Sequence, residues 1–118
     1  MKDEIIDKFN SVYLHDLDVL SMKLEFEPNH LTIDFGEQKP NDETIHPVTY
    51  VFKNLIRFST DIPTDRNFTT DGILQAQCEK NGEGYNAKLV FEMENTVWWM
   101  NLTFMDLEVH RTLGDWAG

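Results

Sequence analysis

Between Gly84 and Arg111 two alternating patterns stand back to back, separated only by Glu94, Asn95 and Thr96. Tyr85, Ala87, Leu89, Phe91 and Met93 share one parity, Asn86, Lys88, Glu92 and Glu94 the other, and only Val90 breaks the alternation. A period of two predicts a strand with one dry and one wet face. Val97 to His110 is longer and more apolar, with Trp98, Met100, Leu102 and Phe104 on one parity before Leu107 and Val109 take over the opposite one. That parity change predicts a β-bulge or bend near Met105 and Asp106. Both strands read as central, and the rest of the chain must cover them.

Earlier in the chain, Ile5, Ile6, Phe9, Val12 and Tyr13 recur at helical spacing, and Asp3 and Glu4 complement a helix dipole, so a short amphipathic helix is expected at about Lys2 to Phe9. A strand follows at about Asp18 to Glu27, with Leu20, Met22, Leu24 and Phe26 expected inward and Lys23 and Glu25 outward. Pro28 and Asn29 mark a turn into a second strand, where Leu31, Ile33 and Phe35 alternate with Thr32 and Asp34. Glu37 to Pro47 is a polar loop. Val48, Tyr50 and Phe52 then share a parity that slips before Leu55, Ile56 and Phe58, which predicts a bulge or two short strands around Lys53 and Asn54. Thr60 to Gly72 reads as loop, Ile73 to Glu79 as a short strand, and Lys80-Asn81-Gly82-Glu83-Gly84 as a turn.

Hairpin-length connections between all these strands leave no room for the crossover helices of a parallel sheet. The expected fold is mainly β (α+β): a curved antiparallel sheet or two-layer β-sandwich, with the short N-terminal helix over one opening or edge. The whole chain, residues 1–118, reads as one domain, since 118 residues leave no space for a second core.

Charge changes the picture more than composition does. Twenty-one acidic residues against ten basic ones give a formal net charge of −11. That sign disfavours nucleic acid and anionic membrane as partners and favours a basic protein, although acidity also serves solubility alone. No apolar run approaches the roughly 20 residues that span a bilayer, and the charged start does not resemble a secretory segment, so a cytosolic location is expected. The single cysteine, Cys78, excludes an internal disulfide, and Glu79 beside it should raise its thiol pKa.

Candidate chemistry is sparse. His15, His30, His46 and His110 are scattered, without the spacing of a metal motif, and only His15 and Asp16 form a local cluster. If His110 approached it in the fold, His15, Asp16 and His110 would be a metal or ligand site; otherwise His15 and Asp16 cap the corner between helix and strand. No Gly-x-Ser-x-Gly elbow occurs, and the glycines of the 80–84 turn serve positive φ rather than phosphate binding. No cofactor and no enzymatic activity are expected. On the polar parities Glu25, Glu27, Asp34, Glu92 and Glu94 outnumber Lys23 and Lys88, so neighbouring strands would carry an anionic face. Trp98 and Trp99 are adjacent and must point to opposite faces: both are core if the sheet is covered twice, and Trp99 is an interface anchor if it is not.

Leu14-His15-Asp16 leading into Leu20-Ser21-Met22-Lys23-Leu24-Glu25-Phe26, the second strand Leu31-Thr32-Ile33-Asp34-Phe35 and the late Val97-Trp98-Trp99-Met100 resemble small bacterial proteins of the polymorphic-toxin immunity class. The resemblance covers about the first third of the chain and that late strand. It implies a mainly β protein without catalysis that binds and blocks a toxin, and carries no defined binding residue across. The leading expectation is therefore a non-enzymatic, acidic inhibitor of a basic toxin protein. A small metal- or ligand-binding protein and a structural homodimer are the alternatives.

Overall fold

A computed structural model describes residues 3–15, 17–38, 40–62, 72–93 and 96–112. Among these residues eight strands follow one short helix: α1 (Glu4–Phe9), β1 (Asp18–Phe26), β2 (Asn29–Glu37), β3 (His46–Lys53), β4 (Arg57–Thr60), β5 (Gly72–Asn81), β6 (Gly84–Met93), β7 (Thr96–Phe104) and β8 (Asp106–Arg111). They form two four-stranded sheets, ordered β1-β2-β3-β8 and β4-β7-β6-β5, and every pairing is antiparallel. One core lies between them. Leu31, Ile33, Phe35, Val48, Tyr50 and Phe52 enter it from the first sheet, and Leu89, Phe91, Trp98, Met100, Leu102 and Phe104 from the second. The mainly β, two-layer expectation is met.

The two predicted parity slips are what join the sheets. Between β3 and β4, Asn54 takes a left-handed φ of 52°, a conformation its short amide side chain tolerates better than most residues. Between β7 and β8 only Met105 intervenes, so Phe104 and Leu107 both reach the core although their parities differ. Met105 N–H donates to the Lys53 carbonyl (3.2 Å) and Ile56 N–H to the Thr103 carbonyl (2.7 Å), which stitches the two bends together. Strands that turn such a corner are how sheets of a sandwich share chain. At the 80–84 turn, Asn81 pairs with Gly84 across Gly82, whose φ of 62° suits glycine.

A six-residue helix cannot hold itself together in water, so α1 depends on its neighbours. Asp3 caps it by accepting from the Ile5 and Ile6 amides (3.0 and 3.3 Å). Phe9, 1% exposed, stands edge-on to Tyr50 with ring centroids 5.8 Å apart. The Tyr50 hydroxyl donates to the Phe9 carbonyl (2.7 Å), and that of Tyr85 to Asp3 Oδ2 (2.9 Å), so each sheet grips one end of the helix. α1 packs against β8 and β5, one edge strand from each sheet, and covers that opening as expected. Lys2, where the sequence suggested the helix begins, lies outside the described residues.

Strand β1 departs from its expected parity. The expectation put Leu20, Met22, Leu24 and Phe26 inward, but the register slips between Val19 and Ser21. That bulge leaves Val19 and Met22 packed on the core and turns Leu20 to the other surface, beside Ile45 over Gly36. Leu24 keeps the inner parity opposite Leu31, yet β1 is an edge strand, and Leu24, Leu20 and Phe26 are 39%, 50% and 75% exposed.

Candidate interaction surface

α1 packs against β8 and β5, and a different groove is lined by β1, the tip of the β1–β2 hairpin, the β3–β4 link and β4. Its volume is about 170 Å³, and Leu24, Phe26, Leu55, Ile56 and Phe58 supply its apolar walls. Phe58 lies opposite core residue Leu102 but on an edge strand of four residues, so among the described residues no strand beyond β4 covers it. Ile56 is 58% exposed, while Phe58 and neighbouring Met105 are each 37% exposed. The Leu55 amide donates to the Asn29 carbonyl (2.9 Å), which fixes the β1–β2 hairpin tip against the β3–β4 link. Single exposed apolar side chains are ordinary; several gathered at one corner mark a contact surface. Glu25 and Glu27 flank Phe26 on the same hairpin and are exposed, and Arg57 lies between Ile56 and Phe58.

The five carboxylates singled out from the sequence do not share one face. Glu25, Glu27 and Asp34 belong to the β1–β2 hairpin of the first sheet, and Glu92 to β6 of the second, with the core between the sheets. Glu94 is outside the described residues. Alternation along each strand was legible, but which strands adjoin depends on sheet topology, and that separates them. Asp34 is engaged as a cross-strand tie: it accepts from Ser21 Oγ (2.7 Å) and Thr49 Oγ1 (2.5 Å), joining β1, β2 and β3. Glu92 is half-buried opposite Val97.

The two tryptophans split as adjacent strand residues must. Trp98 is 1% exposed and stacks on Phe91 across the β6–β7 pair (4.1 Å), while Trp99 is 36% exposed on the outer face. Core is thus the fate of Trp98 alone, because among the described residues no layer covers the outside of this sheet. Trp99 is exposed opposite Val90, and its backbone amide donates to Asp61 Oδ1 (2.7 Å).

His15 stacks on Tyr13 (5.8 Å) and lines a groove against Leu74 and Ala76 of β5. His110 sits on β8 opposite Thr49, with Nε2 3.3 Å from Glu108 Oε2, and borders a different groove beside α1. Asp16 lies outside the described residues, and among those described no three His, Cys, Asp or Glu side chains gather to hold a metal ion. Hydrogen bonds from Lys53 and His110 hold the Glu108 carboxyl below its usual range. Burial, then the nearby Asp3 and Glu79 carboxylates, push the Cys78 thiol up to about 11, the opposite of what a nucleophile needs.

The buried charge belongs to the scaffold. Glu37, 4% exposed, accepts a two-point contact from Arg111 Nε (2.7 Å) and an Arg111 terminal nitrogen (2.8 Å), tying β2 to β8 across β3. The apolar corner was missed from sequence because Leu24 and Phe26 look like core residues by alternation. Comparison with protein-family models, curated proteins and solved structures gives no match to this chain.

Proposed function

We propose that this chain is a non-enzymatic binding protein of the bacterial cytosol, an immunity-type inhibitor that docks a basic toxin protein on the corner formed by Leu24, Phe26, Ile56 and Phe58. The observation that carries the reading is this apolar cluster with Glu25 and Glu27 at its margin, on a chain of net charge −11. Apolar anchors supply the affinity of an interface, and the surrounding charge sets partner choice and encounter rate. A toxin that attacks nucleic acid must present positive charge to a polyanion, so an acidic inhibitor is steered to it. No helix among the described residues is long and apolar enough to cross a membrane.

Co-expression with the proteins encoded beside it, followed by co-purification and stopped-flow association, tests the proposal. The expected result is a basic partner whose association rate falls steeply with added salt and which is lost in the double variant Phe26→Glu, Ile56→Glu. Both positions are exposed, so the variant should stay folded, with stability near wild type. A partner that the folded double variant retains, or an association rate indifferent to salt, overturns the reading.

A further inference from the structure

We propose that the partner segment docks by adding an extended strand along Ser21–Phe26, the part of β1 that borders the corner, which rests on the reading of the corner as a protein interface. From Ser21 to Phe26 β1 pairs residue for residue with β2, from Asp34 to Asn29, and it is the terminal strand of its sheet. Within Ser21–Phe26 every residue except Met22 is exposed. Backbone groups along the outer side of an edge strand can pair with a further chain, and alternating pockets beside them select its side chains. The bulge between Val19 and Ser21 breaks the regular ladder on one side, so the accepting stretch ends there and runs toward the apolar corner.

Side-chain alternation on β1 then dictates the incoming sequence. Leu24 and Phe26 line the corner groove, so residues of an added strand beside them should be apolar. Glu25 has the opposite parity and is exposed, which calls for a basic residue between two apolar ones. Lys23, on the same side as Glu25, disfavours a second basic residue two positions along. A second copy of this chain is a poor occupant, because pairing two molecules of charge −11 brings Glu25 and Glu27 of both into one interface. The chemistry fits an extended segment of another protein that carries one basic residue between two apolar ones.

The probe is the acetylated, amidated peptide Val-Thr-Val-Lys-Val-Thr, compared with its fully N-methylated twin and with a counterpart that carries glutamate in place of the lysine. Titration into the intact chain, with backbone amide exchange as the structural readout, should show the first peptide binding and slowing exchange at alternate amides between Ser21 and Phe26. The N-methylated twin keeps charge and side chains but cannot donate to a ladder, and should bind at least about tenfold more weakly. The glutamate peptide should not bind. Equal binding by the N-methylated twin overturns strand addition and leaves the corner as a side-chain docking site. Failure of both lysine peptides to bind, or equal binding of the glutamate peptide, overturns the basic-partner reading together with the inference.

Discussion

Leu89, Phe91, Leu102 and Phe104 are each 0 or 1% exposed, and Phe104 also packs edge-on against Phe52 of the other sheet (5.0 Å). Truncating Phe91 or Phe104 to Ala should therefore cost about 3–5 kcal/mol, the usual range for a phenyl ring deleted from a close-packed core. Glu92 is on the opposite parity, and Glu92→Gln should stay within about 0.5 kcal/mol. Urea unfolding of the three variants makes the comparison, and a Phe91→Ala protein as stable as wild type would contradict the packing. These positions were legible in the sequence because β6 and β7 are interior strands, where alternation and burial coincide. At Leu24 and Phe26, on an edge strand, they do not coincide: alternation tells which face a side chain is on, but not whether anything covers that face.

At the scale of elements, the devices that bend strands were readable and the identity of the edges was not. The slips at Lys53–Leu55 and at Met105 each appeared as a change of parity, since a residue added to a period-two pattern moves every later side chain to the other face. The bulge in β1 left no such mark, because Leu20, Met22, Leu24 and Phe26 hold one parity throughout and only the pairing with β2 skips a residue. Gly84 shows how tightly the corner is built. A Cβ there would lie 2.9 Å from the Phe104 carbonyl oxygen and 3.2 Å from Met105 Sδ, just where β7 gives way to β8. The methionine can move aside, but the carbonyl belongs to a backbone held by pairing with Tyr85. Gly84→Ala should therefore destabilise the fold by about 1–3 kcal/mol, as overpacking does. At Gly36 the nearest atoms to such a Cβ are side-chain ones, Ile45 Cγ2 at 2.7 Å and Leu20 Cδ2 at 3.2 Å; both residues are about half exposed and Ile45 lies just before β3, so they give way more readily than the paired Phe104 carbonyl and the change should cost less. Thermal melts of the two variants side by side would show the ranking; the reverse order would mean that the corner backbone is more compliant than its contacts imply.

Across the whole molecule, acid should weaken the fold through particular carboxylates even as it relieves the repulsion of a chain at −11. Burial opposes ionisation of Asp3, but hydrogen bonds from Tyr85, Ile6 and Ile5 outweigh it and hold its pKa below the usual value. The Thr44 amide and His46 do the same for Asp42, and Lys53 and His110 for Glu108. A carboxyl whose pKa is lowered on folding binds fewer protons in the folded than in the unfolded state. Its contribution is therefore complete above the unfolded pKa, and is lost as pH falls through the lower, folded one. Tyr50 and Tyr85 set the alkaline limit: burial for Tyr50, and the Asp3 hydrogen bond for Tyr85, raise their pKa values, so their contributions fade as pH rises past the ordinary tyrosine range. Melting temperature should accordingly be flat through neutrality and fall on both sides. The triple variant Asp3→Asn, Asp42→Asn, Glu108→Gln removes the acid titrations while keeping a capping side chain at position 3. Its melting temperature should fall less steeply between about pH 5 and pH 2 than that of wild type. An acid limb as steep as the wild-type one would move the origin of acid sensitivity away from these three groups.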